Sequence, residues 1–511
     1  VLGGSGLSQL PGFEVVKRKV QRTPYGEPSG ALTIGLLAGH EIVFLARHGY
    51  GHTIAPHQIN YRANLWALSQ LEIDGILSVA SVGGIRPDLL PGQLVVPDQI
   101  LDYTHGREAT FFEGDNQAVQ HIDFTWPYDQ ALRAALCLAA SAGLWAGLAA
   151  AQTESLRTET VVTGLEHPWA VAFLPEGGFL VTERPGRLRV VSAKGQVSPP
   201  VGGLPAIDAR GQGGLLDLVL DSAFASNRQL YFCYAEPGES GNSTAMARAT
   251  LSPDNTRLLE LQVLFSQRPK FSSSAHFGCR ITEGQRDGKP DGTLYLALGE
   301  RFSKKDDAQT LNNHHGKVIR IRKDGTVPAD NPFATAAARA NGALPEIWSL
   351  GHRNPQGMVQ APDGTLWELE HGPQGGDEIN KVQRGRNYGW PLITYGENYG
   401  GGKIGAGITT QPGLEQPEHY WTPSIAPSGM AFVSSQRYGP GWHGSLVVGS
   451  LKFGYLARLE LSEPFGGRVV RETAYLQDLK ERVRDVRQGP DGWLYLLTDA
   501  SRGRLLRVLP R

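Results

Sequence analysis

Arg482 and Arg484 lie two residues apart, so on an extended strand both guanidiniums face the same way. Lys452 offers an ammonium from a separate segment. Converging, these three cations suit a ligand with several carboxylates; taken alone, they equally suit a solvated strand face. His276 stands in Ser274-Ala-His-Phe-Gly-Cys-Arg280. A histidine titrates where a general base works near neutral pH, and a structural histidine is the alternative. Ala209-Arg-Gly-Gln-Gly-Gly-Leu215 has glycines that let backbone approach a ligand, and Gln212 both donates and accepts hydrogen bonds; a plain loop reads the same way. Gly351-His-Arg-Asn-Pro-Gln-Gly357, Glu370-His-Gly-Pro-Gln-Gly-Gly-Asp-Glu-Ile-Asn380 and Asn387-Tyr-Gly-Trp-Pro391 are dense in oxygen donors, among them the carboxylates of Asp377 and Glu378. Calcium takes such a mixture of carboxylate and carbonyl, although adjacent acids in a turn are often only solvated.

Segments so far apart share a site only if the fold gathers them. From Gln152 onward strand signals dominate, and a loose unit recurs in which a turn precedes a strand with alternating apolar residues. The copies are LPEGGFLVTERPGRLRVV from Leu174, LVLDSAFASNRQLYFCYAE from Leu218, KPDGTLYLALGE from Lys289, APDGTLWELEHG from Ala361, HGSLVVGSLKFGYLARLEL from His443 and GPDGWLYLLTDASRGRLLRV from Gly489. Sheets set radially protect their edges, and a six-bladed β-propeller brings loops from every blade to one axis. A β-sandwich is the competing all-β reading, which six similar units disfavour. The 64 glycines and 33 prolines fit a turn-rich β protein, and the 40% apolar content fits a folded core. A net charge of −1 without long charged runs argues against nucleic acid or an anionic membrane as the main partner.

Before residue 131 helix and strand signals alternate, as in an α/β domain. Leu32–Leu37 and Glu41–Leu45 read as strands, Asn60–Gln70 as an amphipathic helix and Gly75–Val82 as a buried strand. Ala131–Ala151 is an apolar run ending in Ala149-Ala150-Ala151. That is the grammar of a secretory signal, with an apolar helix of the first domain as the alternative, and it is short for a membrane span. The expected division is 1–130, a partial α/β segment; 131–151, a signal-like segment; and 152–511, the propeller. A working signal implies a periplasmic or secreted mature form without a membrane span; translation as one fusion implies a cytoplasmic chain. The chain opens on Val1 and its first methionine is Met246, as expected of a fragment, a processed product or two joined reading frames. Of three cysteines, Cys137 lies in the apolar run; Cys233 and Cys279 read as two buried thiols, with a disulfide as the alternative.

From about Leu165-Glu-His-Pro-Trp-Ala170, the ordered run GQGGLLD, HFG, RNPQGM, EHGPQGGDEIN, NYGWP, SGMAF and RVRDVRQGPDG resembles the soluble aldose sugar dehydrogenases of the glucose/sorbosone dehydrogenase family, which use pyrroloquinoline quinone (PQQ). The resemblance implies an external electron acceptor, an aldose substrate, and His276 as the base at the sugar C1 hydroxyl. It implies that Arg353 polarises the quinone oxygen with Asn354 beside it, and that Gln212, Lys452, Arg482 and Arg484 hold the cofactor. The carbonyls of Gly372 and Pro373 would bind the calcium that meets PQQ, and Asp377, Glu378 and Tyr388 a second, structural calcium. Two positions depart from the pattern: Ala275, where relatives often carry Asp or Asn, and Cys279, where a small Gly or Ser is usual. A monomer or homodimer is expected, and a propeller that only binds sugar or protein is the non-catalytic alternative.

Gly3-Gly-Ser-Gly-Leu7, Leu45-Ala-Arg-His-Gly49, Pro56-His-Gln-Ile-Asn-Tyr-Arg-Ala-Asn64 and Ser81-Val-Gly-Gly-Ile85 resemble the methylthioadenosine/methylthioinosine phosphorylases of the purine nucleoside phosphorylase family. The resemblance implies a phosphate site at Ser5, Arg47 and His48. It stops about halfway, so this part is expected to be poorly folded or inactive, and phosphorolysis is the runner-up function.

Overall fold

The computed structural model describes residues 1–3, 13–37, 39–49, 53–80, 82, 95–104, 106–108, 110–112, 120–138 and 156–511. The chain forms two compact units, Val1–Ala150 and Ala151–Arg511. Among the described residues no helix is long and apolar enough to cross a membrane.

In the first unit a five-stranded sheet runs in the order Phe13–Lys19, Leu32–Leu37, His40–Ala46, Leu2–Gly3, Ser78–Val79. Leu2–Gly3 is parallel to both its neighbours. Leu32–Leu37 has the bounds expected from sequence. The helix is Tyr61–Ser69, and the Asn60 side chain caps it by accepting from Ala63 N at 3.0 Å. The strand expected at Gly75–Val82 shrinks to Ser78–Val79. Residues 130–138 are helical; most of the signal-like segment lies outside the described residues, as does Ser5.

The second unit is a six-bladed propeller. Blade 1 has three strands, Pro168–Phe173, Phe179–Glu183 and Arg187–Val191. Blade 2 has Leu215–Leu220, Gln229–Gly238, Gly241–Leu251 and Leu258–Ser266; blade 3 has Gly278–Arg286, Lys289–Leu298, Lys317–Arg322 and Ile347–Leu350. Blade 4 has Pro355–Gln360, Leu366–Glu370, Asp377–Val382 and His419–Trp421; blade 5 has Pro427–Phe432, Leu446–Ser450, Leu456–Glu463 and Gly466–Tyr475. Blade 6 has Val483–Gln488, Leu494–Thr498 and Gly503–Pro510, and its fourth strand is Leu156–Leu165 from the start of the unit. That pairing closes the ring between the two ends of the propeller sequence. Each of the six sequence copies falls on the second strand of one blade. Those strands are covered by neighbouring blades on both faces, so LYLAL and LYLLT are buried throughout.

First strands of adjacent blades contact one another around the axis. Their middle is filled by charge: Arg280 Nη1 meets Asp485 at 2.9 Å and Asp217 at 3.3 Å, and Arg487 meets Asp217 at 2.6 Å and Asp485 at 3.0 Å. This plug separates a cavity of about 260 Å³ at one end of the axis from one of about 600 Å³ at the other.

Cys233 and Cys279, expected as thiols, form a disulfide with a Cα–Cα distance of 6.0 Å. Both are fully buried, Cys233 on the second strand of blade 2 and Cys279 on the first of blade 3. Burial favoured the thiol reading, but the packing of the two blades brings the pair within bonding reach. The double variant Cys233→Ser/Cys279→Ser is expected to lose about 2–4 kcal/mol. A lower urea midpoint of the propeller transition, matched by the wild type in reductant, checks this.

Candidate active site

The smaller axial cavity opens where the first strands begin, and Trp169, Gln212, Gly278, Gln356, Arg484 and Asp499 are among its walls. Arg184, Arg482 and Arg484 face it against the single carboxylate of Asp499. Arg484 donates to Gln356 Oε1 at 3.1 Å, and Asp499 lies 3.5 Å from both Arg482 and Arg484. Burial lowers the Arg484 pKa to about 10, with Asp499 opposing the shift. Asp499 also meets His167 Nδ1 at 2.8 Å, and burial pulls its pKa up while Arg484 and His167 more than offset this, leaving it lowered. The cavity therefore carries excess positive charge held in place before any ligand arrives, as a polyanion requires. Lys452 stays exposed at the rim with Nζ 5.0 Å from the Phe453 ring, while Leu451 forms the wall next to it.

Gln212 lines the cavity and also builds its neighbour. Its Oε1 accepts from His276 N at 2.8 Å, and its backbone N–H donates to Ser274 O at 2.8 Å. The two segments touch so closely that a Cβ on Gly211, at φ +60°, would meet Ser274 O at 2.5 Å. His276 is 4% exposed, and its backbone is left-handed at φ 50°, followed by Gly278 at 66° and Cys279 at 83°. Its Nδ1 lies 2.9 Å from Glu300 Oε2. Glu300 is 1% exposed and was missed in the sequence. As Nδ1–H donor to Glu300, the imidazole leaves Nε2, which bonds to no described residue, as proton acceptor. Burial lowers the His276 pKa and Glu300 works against that fall. The signal for Glu300 was present: five of the six copies put an acid at or near the end of the second strand, namely Glu183, Glu236, Glu300, Glu370 and Asp499.

Arg353 Nη1 donates to His371 O at 2.9 Å and Gly372 O at 2.7 Å, its guanidinium lies 5.2 Å from the Trp390 ring, and its buried Nε has no partner. Asn354 Oδ1 accepts from Gly278 N at 3.2 Å, tying blade 4 to the His276 segment. Gly372 has no room for a side chain, since a Cβ would lie 2.2 Å from Gly375 O.

Asp377 and Glu378 point to opposite faces of their strand. Asp377 accepts from Gly372 N at 2.9 Å, Ser424 Oγ at 2.7 Å, Ile425 N at 2.8 Å and Ala426 N at 3.0 Å, so it pins the Gly372-Pro373 turn. Burial raises its pKa and those donors oppose the rise. Glu378 sits opposite Glu370 in the strand pair, and Glu368 opposite Asn380. The Tyr388 hydroxyl is engaged by Gln383 N at 2.8 Å, and its ring stacks on His352 at 4.8 Å.

His352, Glu368 and Glu370 bring one ligand atom each within 4.8 Å of one another, all buried. Glu368 Oε1 and Asn380 Oδ1 are buried without a partner. Burial, and then the charge of Glu370, push the Glu368 and Glu378 pKa values well up. A concentration of buried carboxylates with orphaned oxygens fits a hard cation. The sequence-expected set of Asp377, Glu378 and Tyr388 is thus divided: Asp377 turns to the Gly372-Pro373 side, and Glu378 lies across the strand pair from Glu370, next to the cluster.

In the first unit Arg47 Nε lies 3.4 Å from His48 Nε2, and His48 Nδ1 bonds Ile54 O at 2.9 Å.

Fold and site together define a propeller enzyme with a cationic axial pocket beside a buried, carboxylate-oriented histidine. Residues 165–507 match the model of the Glucose / Sorbosone dehydrogenase family. The chain belongs to that family, and its propeller is a sugar dehydrogenase. It is 44% identical over 380 residues to the aldose sugar dehydrogenase YliI of Escherichia coli K12, covering 74% of this chain and 97% of that protein. It is similar to the PQQ-bound aldose sugar dehydrogenase of Streptomyces coelicolor, with TM-score 0.56 and 29% identity over 69% of this chain and 98% of the other. Residues 1–164 match the phosphorylase superfamily model. In that part the chain is 50% identical over 142 residues, 28% of its length, to a probable S-methyl-5'-thioinosine phosphorylase of Pseudomonas syringae pv. tomato, and spans 58% of that protein.

Raised carboxylate pKa values mean that the folded, metal-free protein holds more protons than the unfolded chain, so its stability falls as pH rises above the ordinary carboxylate range. Glu368→Gln should flatten this fall and raise metal-free stability at pH 7 by on the order of 1 kcal/mol. Urea unfolding between pH 4 and 8 in chelator checks both effects.

Proposed function

We propose that the propeller oxidises aldose sugars at C1 to the lactone, using PQQ and calcium. The observation that carries this reading is the pairing of His276 with Glu300 beside a pocket lined by three guanidiniums. PQQ, when bound, would supply the hydride acceptor for C1. His276 Nε2 takes the C1 hydroxyl proton, and the Glu300 carboxylate stabilises the imidazolium that forms. Arg482, Arg484 and Gln212 hold the cofactor's carboxylates, with Asn354 at the pocket wall and Lys452 contributing charge at the rim. The carbonyls of Gly372 and Pro373 would hold calcium, and Arg353, anchored at His371 O and Gly372 O, would stabilise negative charge developing on the cofactor oxygen. Glu378, with Glu368, Glu370 and His352, would hold the second calcium.

The Cys233–Cys279 disulfide belongs to an oxidising compartment. It supports a periplasmic or secreted location for the propeller, with electrons leaving to an external acceptor.

Dye reduction with glucose is expected only after both PQQ and calcium are added, and His276→Ala should lower kcat by about 10²–10⁴-fold. Full activity of His276→Ala, or turnover without PQQ, would overturn the assignment. Because burial lowers the His276 pKa, the acid limb of kcat/KM should lie below the ordinary histidine range. Glu300→Gln removes the group that resists this fall. It should move the limb to still lower pH while reducing kcat, as a pH–rate profile would show.

A further inference from the structure

We propose that Phe302 is the surface on which the closed ring of the sugar rests, and so a determinant of specificity for pyranoses. The inference rests on the reading of His276 as the base at C1.

The loop after the second strand of blade 3 turns abruptly. Arg301 and Phe302 are consecutive non-glycine residues in the left-handed region, at φ 66° and 67°. A residue held there persists only where its surroundings impose it. The turn sends three successive side chains to three places. Glu300 goes inward to His276 Nδ1. Arg301 is fully buried, its guanidinium 3.6 Å from the Phe277 ring centroid, and it donates to Ala275 O at 3.0 Å and Ser273 O at 2.7 Å. Phe302 goes outward and is 53% exposed, although the two residues before it are 1% and 0% exposed.

Its ring stands edge-on to the His276 ring, with centroids 5.1 Å apart and an interplanar angle of 75°. The backbone fixes it there: Phe302 N donates to the same Glu300 oxygen that holds His276, and Ser303 N donates to Arg301 O at 2.9 Å. A phenyl ring is therefore aimed at solvent beside the base by the carboxylate that orients the base. Ala275, the residue before His276, offers no polar side chain to the same region. A pyranose has a rim of hydroxyls and faces of C–H groups, and such a face buries apolar area against an aromatic ring. An open-chain polyol has no such face.

The test uses the full chain, as isolated and after loading with PQQ and calcium. The probe is 1,5-anhydroglucitol, a closed ring that lacks the C1 hydroxyl and cannot be oxidised there. Phe302→Leu keeps an apolar contact with His276 but removes the flat face; Phe302→Trp keeps a face. Titration by saturation-transfer NMR should show the Leu variant binding about five- to tenfold more weakly and the Trp variant within about twofold of wild type. In turnover with glucose, KM should rise in the Leu variant while kcat and the acid limb of the pH profile hold. Equal binding by wild type and Phe302→Leu, or no binding by wild type in either state, overturns the proposal. A Leu variant that lowers kcat and moves the acid limb at constant KM also overturns it, because Phe302 would then act only by packing on His276. Failure of the dehydrogenase reading shows separately, as a loaded wild type that binds the probe and does not reduce dye.

Discussion

Blades arranged around an axis leave a hole, and here two arginines and two aspartates fill it. Arg280 and Arg487 each meet both Asp217 and Asp485, and none of the four carries an unpaired charge. Burial raises the Asp485 pKa, and Arg487 and Arg280 together overcome it, so the carboxylate stays ionised. Removing one partner of such a network strands a buried charge at a cost of about 3–5 kcal/mol. These residues come from blades 2, 3 and 6, so the network fixes the relative height of strands that contribute to the pocket. Arg280 lies 4.1 Å from the Trp169 ring and donates to the Gln356 carbonyl, and Trp169 and Gln356 both line that pocket. The floor beneath the cationic cavity and the closure of the propeller are one set of contacts.

Above the plug, the site follows a simple rule: the second strand of a blade ends on an acid, and the acid holds a working group from elsewhere. Glu300 holds His276, Asp499 holds Arg482 and Arg484, and Glu370 accepts from the backbone N–H of Arg353. Second strands are the most deeply packed, so an acid at their end is fixed without spending a flexible loop on it. The strained backbone at His276 is sustained in the same way. Gln212, Arg301 and Asn354 each hold a backbone atom within two residues of it, and the disulfide anchors Cys279 to blade 2.

Much of this was legible in residue order. The alternating copies identified the second strand of every blade, because a strand packed on both faces must carry dense apolar residues whatever its loops do. Arg482 and Arg484 were legible as a pair because strand period 2 puts both on one side. What escaped depends on three-dimensional neighbours. The period that paired the arginines also separates Asp377 from Glu378, and adjacency in sequence hid that. The Cys233–Cys279 contact spans two blades and leaves no local trace. Lys452 differs from Arg482 and Arg484 in sitting beyond Leu451 at the rim, a distinction that composition does not carry. In the first unit the strand at Leu32–Leu37 and the helix within Asn60–Gln70 followed from local pattern, although Asn60 caps that helix rather than opening it.

The buried cluster of His352, Glu368 and Glu370 and the guanidinium of Arg353 are not independent. Glu370 Oε1 lies 3.3 Å from His352 Nδ1 and faces Glu368 and Asn380, while its Oε2 accepts from Arg353 N. One carboxylate therefore has its two oxygens in the two sites. On the other face of the same strand pair, Asp377 pins Gly372, whose carbonyl holds the Arg353 guanidinium. Arg353 is thus gripped at its backbone by a residue of the buried acid cluster and at its side chain by the turn that Asp377 fixes. A change in charge among the buried acids has a path of two hydrogen bonds to that guanidinium, so the protonation of these acids and the placing of Arg353 are linked. That coupling ties the buried cluster of His352, Glu368 and Glu370 to the pocket wall one blade away.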